Sequence, residues 1–538
     1  MTGRILGTET EYGILGPSGG QSHVLATALV EAYAGLLEKP VTRWDYAGED
    51  PLNDLRGTRL ERAAAHPSQL TDASAHQQGG GVHVAAAPAN FPGGAQAGAA
   101  AGTSAPQIEA AVLATATALP RPSRAELSLP HPGVVITPAG ARFYVDHAHP
   151  EYSGGECDSI RAAVAVDRAG DLVAQRAAQA LGDGTIVYKN NTDGKGAAYG
   201  SHENYQVRRE VDLDDLISVL TPFLVTRPIL CGTGRLGRGQ RSQVPGFQLS
   251  QRADFIENDI GLETTFNRPI FNTRDEPHAD ARQWRRLHVI NGDANQFEFS
   301  TFLRLGTTAL VLDMIEAGVP LEVQALNLAS PLRAVTEISY DATLATTLEL
   351  QSGATATAIE IQRAYREAVI SALGERATEG ENGEILHWWG HVLDLLETDR
   401  DAAAPYVEWV AKLTLLEGMH ARLGGDWAHP KLAALDLQWH DLDPARSLVA
   451  RLDAAGRVAH LLTPGEIEAA VAASPCQTRA AVRGRAVAQL PVVSASWTSV
   501  ILDLPGDEYL RRVALPEASG AALPALLERA YDVLREEV

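Results

Sequence analysis

The sequence predicts an α+β fold. Three observations support this: short strand-like segments recur up to Ile290, helical spacing takes over after them, and a compact segment follows a fresh helix start near Leu461. Arg4 to Ile14 alternates in the manner of a half-buried strand, and Ala141 to Val145, Thr185 to Tyr188 and Arg286 to Ile290 read as further short strands. Thr308 to Ala317, Glu384 to Glu397, Val407 to Arg422 and Ala522 to Glu537 carry apolar residues three and four apart and predict helices. Residues 63–132 turn rich in Ala, Gly, Pro, Ser and His, as in HQQGGGVHVAAAPANFPGGAQAG, and lack periodicity, which predicts a mobile insertion. In LLTPGEIEAAV, Pro464 stands close to a first helical turn. That start divides the chain into a large domain, residues 1–460, and a small C-terminal domain, residues 461–538.

Composition narrows the function. The 538 residues, 45% of them hydrophobic, can bury a sizeable core. With 45 basic and 67 acidic side chains the formal charge is -22, which repels a phosphate backbone, so nucleic acid is not an expected partner. Cys157, Cys231 and Cys476 are widely spaced and form no CxxC pair, as suits a reducing cytoplasm. The start MTGRILGTETEYGI places glutamates where an export signal needs an apolar run. Apolar stretches elsewhere fall well short of the roughly 20 residues that cross a bilayer, so no membrane association is expected.

Several short patterns carry chemistry. Glu9 and Glu11 stand two apart in an extended segment and project from one strand face, an arrangement suited to a hard cation such as magnesium. In ARFYVDHAHPEY, Arg142, Tyr144 and Asp146 alternate onto one face and Glu151 follows a short turn. A carboxylate placed there is poised as nucleophile or general base. The Gly- and Asn-rich YKNNTDGKGAAYGSHENY ends in His202 and Asn204, again two apart. Arg252 in QLSQRAD and Arg274 in NTRDEPHAD stand in polar surroundings that suit forked recognition of phosphate. GTGRLG, Gly232 to Gly237, satisfies GxGxxG, but RGQRSQVPGF after it opens no helix, so a turn is expected rather than a dinucleotide site.

Taken in order, GTETEYGI, YVDHAHPEY, YKNNTDGKGAAYGSHENY, GFQLSQRADFI, NTRDEPHAD and RRLHVINGDAN resemble the Pup ligase and Pup deamidase/depupylase family. RRLHVINGDAN is also similar to a glutamine synthetase motif, with His288 where a metal-binding glutamate stands. The resemblance implies a glutamine-synthetase-like curved antiparallel β-sheet cradle for ATP and Mg2+, backed by helices and closed on one side by the C-terminal domain. It implies magnesium positions at Glu9, Tyr144 and Glu151, a nucleotide contact at Arg142 and the catalytic aspartate at Asp146. Glu11, His202 and His288 are further metal candidates; Asn204, Arg252 and Arg274 are phosphate candidates; Trp497 in SASWTSVILD resembles a tryptophan that touches the nucleotide. A threonine contact in the ligase's EYATPEC corresponds to Gly154 in EYSGGEC.

Two features resemble the hydrolase branch: DHAHPEY where ligases carry a glycine-containing DxGSHPEY, and the long insertion before the catalytic strand. The resemblance thus implies an ATP- and Mg-dependent hydrolase that deamidates the C-terminal glutamine of Pup and cleaves Pup from pupylated proteins. Its further candidate partner is the proteasomal ATPase system. The alternatives are a Pup ligase of the same fold and a non-catalytic nucleotide-binding regulator.

Overall fold

The protein, seen as a computed structural model, is described for residues 3–61, 65, 112–123, 133–520 and 522–536. Ten strands build its two principal sheets: β1 (Leu6–Glu11), β2 (Thr117–Leu119), β3 (Val134–Ile136), β4 (Arg142–Asp146), β5 (His149–Ser153), β6 (Ser201–Arg208), β7 (Trp284–Val289), β8 (Val492–Ser496), β9 (Ser499–Leu502) and β10 (Leu510–Ala514). The larger sheet runs β7-β6-β1-β5-β4-β3 and is antiparallel throughout.

Register decides which side chains meet. Glu9 opposes His202 on one side and Ser153 on the other, Glu11 and Tyr144 both oppose Glu151, Arg142 opposes Ser153, and His288 opposes Asn204. Directly opposed residues share a face of the sheet. The polar alternation of five separate strands therefore lands on one surface. The reverse face presents Leu6, Phe143, Tyr152, Tyr205 and Leu287 to the main core, each 2% exposed or less.

Eight helices matter to the site: α1 (Ser22–Ala34), α2 (Ile160–Leu181), α3 (Glu298–Ala317), α4 (Glu381–Thr398), α5 (Glu408–Arg422), α6 (Pro464–Ala472), α7 (Arg479–Gln489) and α8 (Ala525–Glu536). Helices α1, α2 and α3 pack on the reverse face. Ser159 caps α2 by accepting from the Ala162 amide, and Gly182 ends it in the left-handed region at φ 67°. Helix α3 is ten residues longer at its start than its apolar spacing suggests. Its first half is buried on nearly every side, so polar and apolar residues no longer sort into stripes. The strand expected over Arg4 to Ile14 divides at Tyr12 into β1 and a separate Gly13–Leu15 strand.

The smaller sheet, β8-β9-β10-β2, belongs with a second core. There α7, α8 and the sheet pack around Val41, Trp44, Val134 and Ile136 from the N-terminal part. This core begins later than residue 461: α6 buries Ala470 and Val471 in the main core, against α2. Most of the insertion expected over residues 63–132 lies outside the described residues. Its described part includes β2, which pairs with β10 as an edge strand of the C-terminal sheet. A short Thr-Ala-Leu segment carries no period that could signal this.

Candidate active site

A cleft of about 880 Å³ opens on the polar face of the larger sheet. Glu9, Arg142, Tyr144, Asp146, Glu151, His202, Arg274, His288 and Trp497 all line it. An adjoining pocket of about 590 Å³ shares Glu9, His278, Arg286 and Trp497 with the cleft and adds Asn204 and Gly154. Eleven of the twelve residues singled out in the sequence thus converge here once Glu11, grouped with Asp146 and Glu151, is counted.

Arg252 is the exception. It is 1% exposed, and its guanidinium donates to the backbone carbonyls of Tyr199 and Ile290 at 2.8 and 3.0 Å. Burial, with Arg268 nearby, brings it down to about 9. It ties the Gly-rich segment to the end of β7 and does not line the cleft, so its expected phosphate contact is not the one it makes. The GTGRLG segment is not the expected turn: it passes through left-handed Gly234 into a strand, Arg235–Arg238, and no helix opens after it, so it lacks the setting of a dinucleotide site.

On β1, β6 and β7 one polar group is built around Glu9. Its Oε1 accepts from Asn204 Nδ2 at 2.9 Å and its Oε2 lies 3.2 Å from His202 Nδ1. Asn204 Oδ1 in turn accepts from Arg286 at 2.8 Å and faces His288 Nδ1 at 2.9 Å. Burial would raise Glu9, but the His202 hydrogen bond, the neighbouring His288 and the Arg286 charge outweigh it and hold Glu9 well below the usual carboxylate range. Burial, reinforced by Arg286, pushes His288 well below its usual value, which leaves a neutral imidazole able to act as a ligand.

On β4 and β5 the arrangement differs. The Arg142 guanidinium lies over the rings of Tyr144, Trp44 and Tyr46 at 3.7, 4.6 and 5.3 Å and donates to the Tyr46 hydroxyl at 3.0 Å. Tyr144 hydrogen-bonds Glu151, and burial with the Glu151 charge pushes its phenol well above 10. Tyr144 lies beneath Arg142 and bonds Glu151, which keeps its hydroxyl next to the carboxylates that could share a metal. Asp146 ends β4 with its side chain 38% exposed. Burial alone would raise its carboxyl, yet the His147 hydrogen bond and charge, with Arg142 and His202 beyond, bring it below the usual range.

A divalent cation fits this chemistry. Glu11, Asp146 and Glu151 offer ligand atoms within 4.8 Å of one another, and Glu9, His202 and His288 form a second such group. Burial first, then Asp146, Glu9 and Glu11, pushes Glu151 well above the usual carboxylate range, and a cation relieves crowding of that kind. The all-oxygen group suits magnesium; the mixed group also suits softer metals. A polyphosphate fits beside them, because Arg142, Arg274 and Arg286 line the cleft and each keeps a buried Nε without a hydrogen-bond partner. At Gly154 a Cβ would meet Val166 Cγ1 at 2.6 Å, so this chain has no room for threonine there and any contact comes from its backbone.

Sequence reasoning passed over Arg286, Glu276, His147, Tyr46, Glu49 and His278, all of which line the cleft. Arg286 was within reach, since it stands two before His288 and shares its face. Tyr46 and Glu49 come from a turn whose approach to Arg142 is purely tertiary.

Comparison with known proteins agrees with this geometry. A family profile described as Pup-ligase protein matches residues 4–501. The Pup deamidase/depupylase of Mycobacterium tuberculosis (strain CDC 1551 / Oshkosh) is 41% identical over 98% of this chain and 96% of its own. The depupylase of Acidothermus cellulolyticus (strain ATCC 43068 / DSM 8971 / 11B) is 41% identical over 95% and 93%. The Pup–protein ligase of Corynebacterium jeikeium (strain K411) is 45% identical, but over 66% of this chain and 79% of its own. Among solved structures, the ligase PafA in complex with Pup superposes with a TM-score of 0.73 at 28% identity, covering 100% of this chain and 94% of that one. PafA with ADP gives 0.68 at 32%, covering 85% and 100%. The α+β, glutamine-synthetase-like architecture and the clustered residues thus have one common explanation: the chain belongs to the Pup-ligase family.

Proposed function

We propose that this protein is a Pup amidohydrolase, which deamidates a C-terminal glutamine of Pup and cleaves the isopeptide bond that joins Pup to a lysine. The carrying observation is Asp146: an ionised carboxylate at the end of β4, open to the cleft and grouped with Glu11 and Glu151. Both substrates present the same side-chain carbonyl. Asp146 attacks that carbon or directs water at it. Hydrolase relatives match nearly the whole chain, whereas the ligase of Corynebacterium jeikeium matches two thirds, and this supports hydrolysis over ligation.

Glu11 and Glu151 would hold Mg2+ with Asp146 beside them, and Glu9, His202 and His288 would hold a second ion. Arg142, Arg274 and Arg286 would hold the phosphates of ATP, and Trp497 would face the base from the adjoining pocket. Bound there, the metal would supply, with the cleft arginines, the positive field that favours negative charge developing on the amide oxygen, and the phosphates would help to hold that metal. Arg142 keeps its orientation through the three aromatic rings around it, so it meets the nucleotide without reordering.

The ligase reading keeps one observation in its favour, the 45% identity to a ligase over the shared region. Incubation with Mg-ATP, a lysine-bearing acceptor protein and Pup ending in glutamine or, in parallel, in glutamate, followed by mass spectrometry, separates the readings. The amide-to-acid mass shift is expected; a Pup–lysine conjugate means ligation, and nucleotide binding with no product means a regulator. Pupylated proteins are the expected macromolecular substrates, and the proteasomal ATPase system is a further candidate partner. The three cysteines, all free and buried, support a cytoplasmic setting. No helix among the described residues is long and apolar enough to cross a membrane.

A further inference from the structure

Strands β4 and β5 are joined by a tight reversal in which Asp146 pairs with His149, leaving His147 and Ala148 to make the turn. His147 adopts φ 53°, in the left-handed region. A residue with a Cβ is disfavoured there, and glycine is the residue that takes such a position freely. The chain nevertheless carries a bulky aromatic side chain at this point, next to the carboxylate on which the reaction turns.

The bent backbone has a local result. It brings the His147 ring alongside the preceding side chain, with Nδ1 2.9 Å from Asp146 Oδ2. The neighbouring carboxylates are held otherwise. Glu9 accepts from Asn204 and faces His202, Glu11 accepts from the Gly200 amide at 2.9 Å, and Glu151 accepts from Ser153 at 3.0 Å. Asn204, His202 and Ser153 sit on strands of the sheet, and Gly200 directly precedes β6 with its carbonyl bonded to the Glu11 amide, so the sheet fixes these partners. Asp146 stands at the strand's end with its side chain 38% exposed, and His147, 43% exposed, lines the cleft beside it. A carboxylate at a strand end has free rotation about χ1 and χ2 unless a neighbour restrains it.

We propose that His147 is a positioning residue: through the Nδ1 contact its ring holds the Asp146 carboxylate in the rotamer that faces the substrate amide carbon. The proposal rests on the reading of Asp146 as the reacting carboxylate. Misplacement of a reacting group by about 1 Å can cost on the order of a hundredfold in rate, which sets the scale of the effect.

Three variants of the full chain separate the hydrogen bond from the turn. His147→Ala removes the donor and keeps the backbone strain; His147→Gly removes the donor and relieves it. His147→Asn keeps an N–H donor near the place of Nδ1 on a residue that tolerates left-handed φ. With Mg-ATP and Pup ending in glutamine, His147→Ala and His147→Gly are expected to lower kcat by about tenfold to a hundredfold, with KM for Pup and nucleotide affinity unchanged. His147→Asn is expected to recover most of the loss.

Wild-type kcat in His147→Gly would overturn the proposal, because the turn alone would then suffice. So would a His147→Asn variant as slow as His147→Gly, or a loss of nucleotide affinity parallel to the loss of kcat. Asp146→Asn, measured alongside, keeps the two readings apart. If it turns over at a rate near wild type, the role of Asp146 falls and this proposal with it. If it is inactive while His147→Gly is fully active, only the role of His147 falls.

Discussion

Replacing Glu156 by glutamine should loosen the C-terminal sheet from the catalytic sheet and weaken nucleotide binding without touching Asp146. Glu156 follows β5, and its carboxylate is shared by two arginines of α7: Arg479 Nε donates to Oε1 at 2.5 Å and Arg483 Nη2 to Oε2 at 2.8 Å. The three side chains are 11%, 4% and 0% exposed. The same arginines carry the clamp further, Arg483 to the Trp497 and Gly140 carbonyls and Arg479 to the His278 carbonyl. Glu156 is therefore the anion that joins the catalytic sheet to the segment bearing Trp497.

Its magnitude follows in two ways. Burial would raise the Glu156 carboxyl, but Arg479 and Arg483 outweigh burial and bring it from 4.5 down to about 2. At about 1.4 kcal/mol per pH unit, this shift corresponds to about 3 kcal/mol in favour of the folded state. Removing one partner of a buried ion pair costs about 3–5 kcal/mol, which agrees. Because the folded value is depressed, the contribution is fully present above the unfolded value of 4.5 and is lost as pH falls towards 2.

At neutral pH, Glu156→Gln should thus lower the melting temperature by a few degrees and increase amide exchange across residues 479–497. ATP affinity should fall severalfold. Below pH 4.5 the melting curves of wild type and variant should converge, since wild type loses the same charge. Equal melting temperatures at pH 7, or a gap between the two proteins that persists unchanged into acid, would refute the reasoning.

Three further outcomes follow from the cleft. Asp146→Asn keeps size and loses charge, so deamidation and depupylation should drop below about a hundredth of wild type while nucleotide affinity holds; single-turnover mass spectrometry and nucleotide titration check this. Glu9→Ala removes a ligand atom from the group with His202 and His288, so Mg-ATP affinity should fall and recover partly at high magnesium, and a magnesium titration with no change would take Glu9 out of the metal shell. Trp497→Ala removes an indole that packs edge-on against Trp44 at 5.0 Å and lies under Arg483 at 5.1 Å. Fluorescent-nucleotide titration should report an affinity loss of about threefold to tenfold, as aromatic contacts of about 0.5–1.5 kcal/mol imply, with kcat at saturation retained.

What could be read from the chain was the face on which a side chain lies; what could not was the partner it would find. A period of two places Glu9 with Glu11, Arg142 with Tyr144 and Asp146, and His202 with Asn204, and each of those pairings survives in the sheet. Strand order is a different matter, because nothing local says that β1 lies between β5 and β6, yet that order alone brings Glu9 to His202 and Glu11 to Glu151. The two arginines offered as phosphate contacts make the point sharply. Arg252 and Arg274 stand in similarly polar stretches, but Arg252 meets two backbone carbonyls in the interior, while Arg274 lines the cleft.

Helix α6 and the described strand Thr117–Leu119 of the insertion join partners that their local sequence does not announce. Helix α6 has the capping signature of a fresh start, with Thr463 and Glu466 bonded reciprocally, but a cap marks where a helix begins and not which core it joins. Its Ala470 and Val471 pack with the main core, and the second core gathers Val41, Trp44, Val134 and Ile136 from the far end of the chain. The C-terminal sheet is thus held by residues that flank the catalytic strands. Arg479 and Trp497 reach the cleft and its adjoining pocket for that reason, so a change in the C-terminal core should be felt first in nucleotide affinity and only then in turnover.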